Sequence, residues 1–589
     1  MTPETPDYKR VFIALLLASV VLFAWQAKVE WPRRQQLAQL QQQVTKKRLA
    51  EEAKVAQETP AKTTEGEENP ALTWQQRINE SPRVAIDSSE LHGSISLKGA
   101  RFDDLTLKKY KETLDSDSPN VTLFSPNGGE DAYFAQIGFV SPDNKTKVPD
   151  QHTLWQADKK TLAPGETVTL RWNNGEGVTF VQAISLDEHY MFSIKRSIEN
   201  HTGQPISILP YAYINRTYAE PKQQSAVLHQ GPLGVMDGSL SEVTYKELRE
   251  KGNKIYENAS GWFGVTDKYW LAALIPSDAH DKITFSYYSA AGHDRYQTDY
   301  LGDAITVAPN ATAENETRLF AGAKEIRVLD QYAKGDTARH VAPIPLFDRS
   351  IDFGMLYFLT RPMLLLLTSF HALVGNFGIA IMLLTIVVRI LLYPLANKSY
   401  HATAKMRDLQ PEMLKLRERY FDDQITLQKE TMALYKRQKL NPAAGCLPVL
   451  IQMPVFFSLY KVLYVAIEMR QAPFFGWIKD LSAMDPSNLF TAFGLIPWQP
   501  WGWMQLGILP MLMCATMIIQ MRQQPKPADP TQARMMTYMP YFMLIIFAKM
   551  PAGLIVYWTW SNIISILQQR VITKHHEFSQ ARKQRKAAA

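Results

Sequence analysis

A chain of 589 residues has room for about four average domains, and its 46% hydrophobic and 21% charged composition matches ordinary soluble protein. Its net charge of +7 is unevenly spread: residues 1–27 carry 2 basic and 2 acidic side chains, residues 28–353 carry 37 and 44, and residues 354–589 carry 25 and 11, or 0, −7 and +14. An acidic middle joined to a basic end excludes a uniformly basic nucleic-acid binder, and two cysteines, Cys446 and Cys514, exclude a disulfide framework.

Residues 11–27 (VFIALLLASVVLFAWQA) follow Lys9 and Arg10 and end without a convincing small-x-small cleavage site, which predicts an uncleaved transmembrane anchor over 1–27, with a removed signal peptide as the alternative. Positive charge ahead of it places the N-terminus in the cytoplasm and the following chain outside. Residues 28–78 are rich in Gln, Glu, Lys and Ala and predict a flexible, solvated linker. From 79 to 335 the pattern changes to short alternating runs at 94–97, 167–172, 178–184, 190–194, 206–214 and 283–289, with turn signals at Asn173-Asn174-Gly175 and at 126–129. Without βαβ alternation these predict a large antiparallel sandwich, closed by a helix over 323–333. Neither HExxH nor GxSxG occurs, and the twelve histidines make no metal-ligand spacing, so a binding or spacing role fits this domain better than catalysis.

From Phe353 the chain is apolar again, and positive charge settles how it runs. The loop 396–446 holds ten Lys and Arg, residues 522–534 three and residues 570–589 six. All of them belong on the cytoplasmic side. A single crossing between 351 and 395 keeps them there. Residues 336–374 are therefore read as a connector followed by an interfacial amphipathic helix over 352–373. Spans are predicted at about 377–395, 447–467, 504–521, 535–548 and 553–572, within a membrane core of 375–575 that includes a cytoplasmic helical hairpin, 396–446. A basic tail, 576–589, completes six spans with both termini cytoplasmic.

Arg389 lies inside an apolar run, where a mid-span charge costs roughly 2.5 to 3.5 kcal/mol on insertion scales. It either snorkels toward Asn397-Lys398, about 12 Å along a helix, or faces a water-accessible cavity, since no Asp or Glu falls within a predicted span. Thr385, four residues earlier, shares its helix face. Gln452, Ser458, Gln520, Ser561, Asn562 and Ser565 are further polar residues within spans, and Lys461 sits near the outer end of its span, within snorkelling reach of the headgroups. In the cytoplasmic loop, Met406, Leu409, Met413, Leu416 and Tyr420 draw one apolar stripe, with Lys405, Arg407, Lys415, Arg417 and Arg419 around it. Asp422-Asp423 marks a turn and cap.

Several long segments in fixed order, GSISLKGARFDDLTL (93–107), HALVGNFGIAIMLLTIVVRILLYPL (371–395), AKMRDLQPEMLKLRERY (404–420), NPAAGCLPVLIQMPVFFSLY (441–460) and MPAGLIVYWTWSN (550–562), resemble the YidC membrane-protein insertases of Gram-negative bacteria over nearly the whole chain. The resemblance implies a polytopic α-helical membrane protein with six transmembrane helices, a five-helix insertase core and a large all-β periplasmic sandwich domain of sugar-mutarotase type. It implies a hydrophilic client groove carrying Arg389, Thr385, Tyr557, Trp558 and Gln520, with tryptophan at 558 where tyrosine is usual, and a segment 487–503 longer than is common. Its implied partners are nascent membrane-protein clients, the Sec translocon, the ribosome and membrane lipids. Ribosome contact falls on the basic loop residues and on Arg582, Lys583, Arg585 and Lys586 of the tail, where phosphate attraction operates. No cofactor, metal or nucleotide is implied, and no GxxxxGK[ST] loop occurs. A secondary transporter, or a membrane-anchored periplasmic carbohydrate-binding protein, is the alternative.

Overall fold

The computed structural model describes residues 72–129, 131–217, 228–277, 280–290, 292–336, 341–438, 447–494, 496, 506–524 and 530–588. The expected anchor, most of the linker and residues 495 and 497–503 of segment 487–503 lie outside these residues.

Among the described residues, two sheets of eleven and nine strands form the all-β domain. Neighbouring strands pair antiparallel except Arg83–Asp87, which runs parallel to Thr161–Leu162. The alternating runs become the strands Leu91–Ser96, Thr167–Asn173, Val178–Leu186, Met191–Asn200, Ile206–Thr217 and Asp281–Ala290. Asn-Gly chemistry makes the turn between the second and third of these. Gly175 takes φ +79°, which a side chain resists, and the Asn174 carboxamide accepts from the Val178 amide at 3.1 Å. The sheets meet through aromatic pairs, Phe102 on Phe192 and Phe139 on Phe180, with ring centroids 5.2 and 5.0 Å apart. Arg196 is buried between them. Its two terminal nitrogens donate to the Gly138 and Tyr211 carbonyls and to Tyr300, Asn315 and Thr317, all neutral acceptors, while its buried Nε has no hydrogen-bond partner among the described residues.

Helix α1 (Ile326–Lys334) leads out of the sandwich, and nine further helices follow among the described residues: α2 (Tyr357–Val374), α3 (Phe377–Leu391), α4 (Tyr393–Asp408), α5 (Gln410–Arg419), α6 (Gln424–Arg437), α7 (Leu447–Val465), α8 (Ile508–Arg522), α9 (Pro530–Phe547) and α10 (Ala552–Ala588). Gly375 ends α2 at φ +69°, and the Asn376 side chain caps α3 through the Ile379 amide. Helix α10 is the central strut and touches α3, α4, α7 and α8. Its first amides are satisfied by carbonyls of the segment between α7 and α8: Ala552 N donates to Ala483 O at 2.7 Å and Gly553 N to Leu481 O at 2.9 Å. Asp485 and Ser487 do the same for α8, accepting from Leu509 N and Ile508 N.

Three elements differ from expectation. The span predicted over 377–395 stops at Leu391, and the chain turns by 69° into α4. Pro394 fits there because the first turn of a helix needs no amide donor. The predicted cytoplasmic hairpin therefore begins late: α4 packs into the bundle through Ala396 and Tyr400 against Ile572, and Pro411 breaks the single apolar stripe at Leu409. The hairpin proper is α5 against α6, joined by the Tyr435 hydroxyl on Met413 and turned by Asp423, which caps α6 as expected. Helix α2, read from sequence as amphipathic and interfacial, buries Met363, Leu364 and Leu367 but also exposes Phe358, Leu366 and Leu373. It is the single unbroken helix among the described residues that is long and apolar enough to cross a membrane.

The two halves interlock. Lys461 does not snorkel; it is paired with Asp352 at 2.9 Å, and Asp352 also accepts from the His229 amide of the β domain. Buried Lys324 donates to Thr266, to the Asp267 carbonyl and to the Ser350 carbonyl, which fastens the connector to the sheet.

Within the sandwich, burial pushes the Asp299 carboxyl up to about 7, only partly offset by the Gln297 amide that donates to it. A carboxyl raised from 3.8 on folding adds stability that is complete below pH 3.8 and is lost as pH rises through about 7. Asp299→Asn is therefore expected to gain on wild type as pH rises from 4 to 7, with a slope of at most about 1.4 kcal/mol per pH unit, measured by calorimetric unfolding of both proteins at matched pH.

Candidate functional site

The site is built where α3 and α10 face each other. Four polar residues of α10, Ser561, Asn562, Ser565 and Gln569, are all buried. Ser561, Ser565 and Gln569 step by four and so lie on one stripe about 12 Å long. At its inner end in the fold stands Arg389 of α3, whose Nη2 donates to the Ser561 carbonyl at 3.1 Å and to the Ser561 hydroxyl. The guanidinium is thus turned across to α10 rather than along its own helix toward Lys398. Its Nε is buried and has no hydrogen-bond partner among the described residues, and no carboxylate there makes an ion pair with it.

The stripe continues through neutral partners. Ser565 donates back to the same Ser561 carbonyl at 2.9 Å. Asn562 Nδ2 donates to Thr516 of α8 at 3.1 Å. At the far end, the Gln523 carbonyl that closes α8 accepts from both Gln569 Nε2 (3.1 Å) and Arg407 Nη2 (3.2 Å). Two donors therefore satisfy a helix C-terminus that would otherwise be unpaired.

The other expected residues divide. Thr385 is buried one turn from Arg389, but its hydroxyl donates to the Ile381 carbonyl of its own helix at 2.7 Å. Tyr557 is fully buried, accepts at its hydroxyl from Gln452 of α7, and lies within electrostatic reach of Arg389. Trp558, about 100° further round the helix, points elsewhere: its ring meets Phe456 at 5.0 Å and Phe547 at 5.1 Å, both edge-on. It fills an aromatic corner between α7, α9 and α10, and makes no hydrogen bond among the described residues. Gln520 is half-buried on α8, one turn beyond Thr516, with no side-chain partner there. Lys405, Lys415, Arg417 and Arg419 are exposed with Arg407 on α4 and α5. Arg582, Lys583, Arg585 and Lys586 lie along the last turns of α10, whose side chains there are outside the described set. No group of acidic, histidine or cysteine side chains that could hold a metal occurs among the described residues.

Sequence reasoning named Ser561, Asn562 and Ser565 only as generic polar positions and missed Thr516, Gln569 and the role of Arg407. The four-residue step from 561 to 569 was the available signal.

Comparison with known proteins covers both halves. The family model described as the YidC periplasmic domain matches residues 83–366, and that of the 60Kd inner membrane protein matches residues 369–580. The membrane protein insertase YidC of Rickettsia bellii is 44% identical over 563 residues, covering 95% of this chain and 98% of the relative. Among solved structures, an active YidC insertase with its first transmembrane domain resolved aligns at TM-score 0.36 and 17% identity, covering 83% of this chain and 92% of that one. A galactose mutarotase related enzyme from Lactobacillus acidophilus aligns at TM-score 0.29 and 10% identity over 41% of this chain and 97% of its own.

The geometry makes position 389 polar and position 390 apolar-facing, since Ile390 is 66% exposed on the outside of the bundle. With Cys446 and Cys514 replaced by serine and the protein in lipid, Arg389→Cys is expected to react with a water-soluble maleimide at least tenfold faster than Ile390→Cys, read by gel shift. Equal rates would place residue 389 out of reach of water.

Proposed function

This chain belongs to the YidC family of membrane-protein insertases, and from that premise we propose that it inserts and folds integral membrane proteins in the bacterial inner membrane through the polar seam between α3, α8 and α10. The observation that carries this reading is Arg389: a guanidinium held by neutral acceptors, with a buried nitrogen to spare, at the end of an uncharged polar stripe within the bundle. Leaving a charge so clothed in hydrocarbon is costly, whereas a wet groove open to the cytoplasm and to lipid supplies the missing hydration. A client's polar tail entering hydrocarbon directly would lose hydration at every exposed backbone group. In the groove it meets Arg389, Gln520 and the stripe of α10 instead. Acidic and polar client residues are drawn to Arg389, and the client's apolar helix leaves sideways past Met, Phe and Trp walls. Burial of that helix in lipid drives the step, so neither nucleotide nor chemical catalysis takes part.

Six spans with both termini cytoplasmic and the β domain periplasmic are the topology we propose. The 37 residues of α10 support it: at 1.5 Å each they extend about 55 Å, well beyond the ~30 Å hydrocarbon core, and so carry the basic tail into the cytoplasm. Helix α2 runs along the periplasmic interface, its Arg361 tied to Asp330 and Asp348 at the foot of the β domain. The exposed bases of α4 and α5 and the tail are suited to the phosphates of a ribosome, and the Sec translocon is the expected neighbour for larger clients. The insertase core acts as residues 375–575, with Trp558 as a wall residue.

Purified protein in liposomes, given a client of one or two spans, is expected to insert it well above the level in protein-free liposomes. Arg389→Ala should lower insertion of a client with an acidic tail about tenfold, a loss near 1.4 kcal/mol, while Arg389→Lys keeps most of it and a client without acids is little changed. Insertion no better than into protein-free liposomes overturns the function; equal insertion by all variants removes Arg389 from it.

A further inference from the structure

The outer end of α7 enters the β domain through one buried carboxyl. Glu468 lies in the single turn Ile467–Met469 just beyond α7. Its Oε1 accepts at 2.9 Å from the amide of Ile326, the first residue of α1. The residue that normally caps such a helix, Glu325, makes no side-chain cap, so the cap of a β-domain helix is supplied from the helical half, 142 residues away in sequence. The second oxygen, Oε2, is buried without a hydrogen-bond partner. Glu325, Arg327 of α1 and Tyr110 of the strand Arg101–Lys111 lie within electrostatic reach of it. The hydroxyls of Tyr110 and Tyr190 donate to Glu325, at 2.9 and 2.7 Å, not to Glu468. Glu90 accepts from Tyr190 and is matched by Lys109 at 2.5 Å. On its own segment, Arg470 is spent on the Lys111 and Glu112 carbonyls. Glu468 thus has backbone donors in the Ile326 amide and its own, an Oε2 without a hydrogen bond, and a second carboxyl within electrostatic reach.

We propose that Glu468 is a positioning residue: in its neutral form it is the cap that seats the outer end of α7 in the periplasmic domain, and its ionisation loosens that seat. A neutral carboxyl still caps through its carbonyl oxygen, leaves no buried charge on Oε2 and removes the repulsion from Glu325. Burial, aided by Glu325, pushes the Glu468 carboxyl up to about 7 from an ordinary 4.5. A carboxyl raised in the seated state binds its proton there, so the seat is strongest below pH 4.5 and weakens as pH rises through about 7. Between pH 5.5 and 8.5 these values allow a change of about 30-fold in the seated population ratio.

Hydrogen exchange of the Ile326 amide in the full chain in lipid nanodiscs, corrected for intrinsic rate, reads the seat directly. Wild-type protection is expected to fall by up to about 30-fold from pH 5.5 to 8.5. Glu468→Gln, a neutral isostere, should keep its protection at both, and Glu468→Ala should be weakly protected at both. Wild-type protection independent of pH, a Gln variant that falls like wild type, a Gln variant as unprotected as Ala, or an Ala variant as protected as wild type would each overturn the proposal.

Discussion

A guanidinium among helices with no acid paired to it among the described residues constrains everything around it. Arg389 needs oxygen acceptors at one depth and on one side, and the bundle provides them from the backbone and hydroxyl of Ser561. That demands a close, fixed approach of α3 to α10, which small residues permit: Ala380 of α3 and Gly553 of α10 are buried, and a Cβ at Gly553 would collide with Leu463 and crowd the Leu481 carbonyl and Ile381. It also demands that α3 end soon after the arginine. The 69° turn at Leu392 does this and swings α4 inward, so that Arg407 can reach the end of α8. The polar stripe is therefore one construction from Ser561 to Gln523.

The β domain holds the opposite end of the same helices. Asp352 joins Lys461 of α7 to the His229 amide, Lys324 ties the connector to the sheet, Lys268 sits 4.0 Å above the Tyr464 ring, and Glu468 caps α1. These contacts are buried or half-buried, where charges and hydrogen bonds are worth more than at a free surface. One continuous apolar core runs through both halves beneath them. The helices are thus steadied at the ends that meet the β domain and carry polar, uncharged partners along the stripe further on.

The sandwich was largely legible because two-residue periodicity and Asn-Gly turns are local: the strands Thr167–Asn173 and Val178–Leu186 appear within two residues of their expected limits. Arg389 was legible for the opposite reason, as a single violation of an apolar run. What sequence did not disclose depends on partners far away. Lys461 looked like a snorkelling residue because Asp352 is 109 positions earlier, and nothing in the sequence marks Glu468 as the cap of a helix 142 positions away. Tyr557 and Trp558 read as a pair, yet consecutive residues on a helix face different neighbours, and only Tyr557 lies near the arginine. The apolar stripe from Met406 to Tyr420 was real in composition but not in continuity, because Pro411 outweighs periodicity. Helix α2 shows the limit of hydropathy: its exposed apolar face is equally suited to lipid whether the helix lies flat or crosses.

The central claim is that a client's polar segment travels along the seam and not along the lipid face. Gln520 and Ile519 of α8 are neighbours at one depth on different faces, the first half-buried toward the seam and the second 44% exposed outward. A photoreactive side chain placed at each in turn, with a client stalled during insertion, compares the two routes in one experiment. The account predicts adducts to the client's polar tail from position 520 and little or none from 519; tail adducts from 519 equal to or exceeding those from 520 would contradict it.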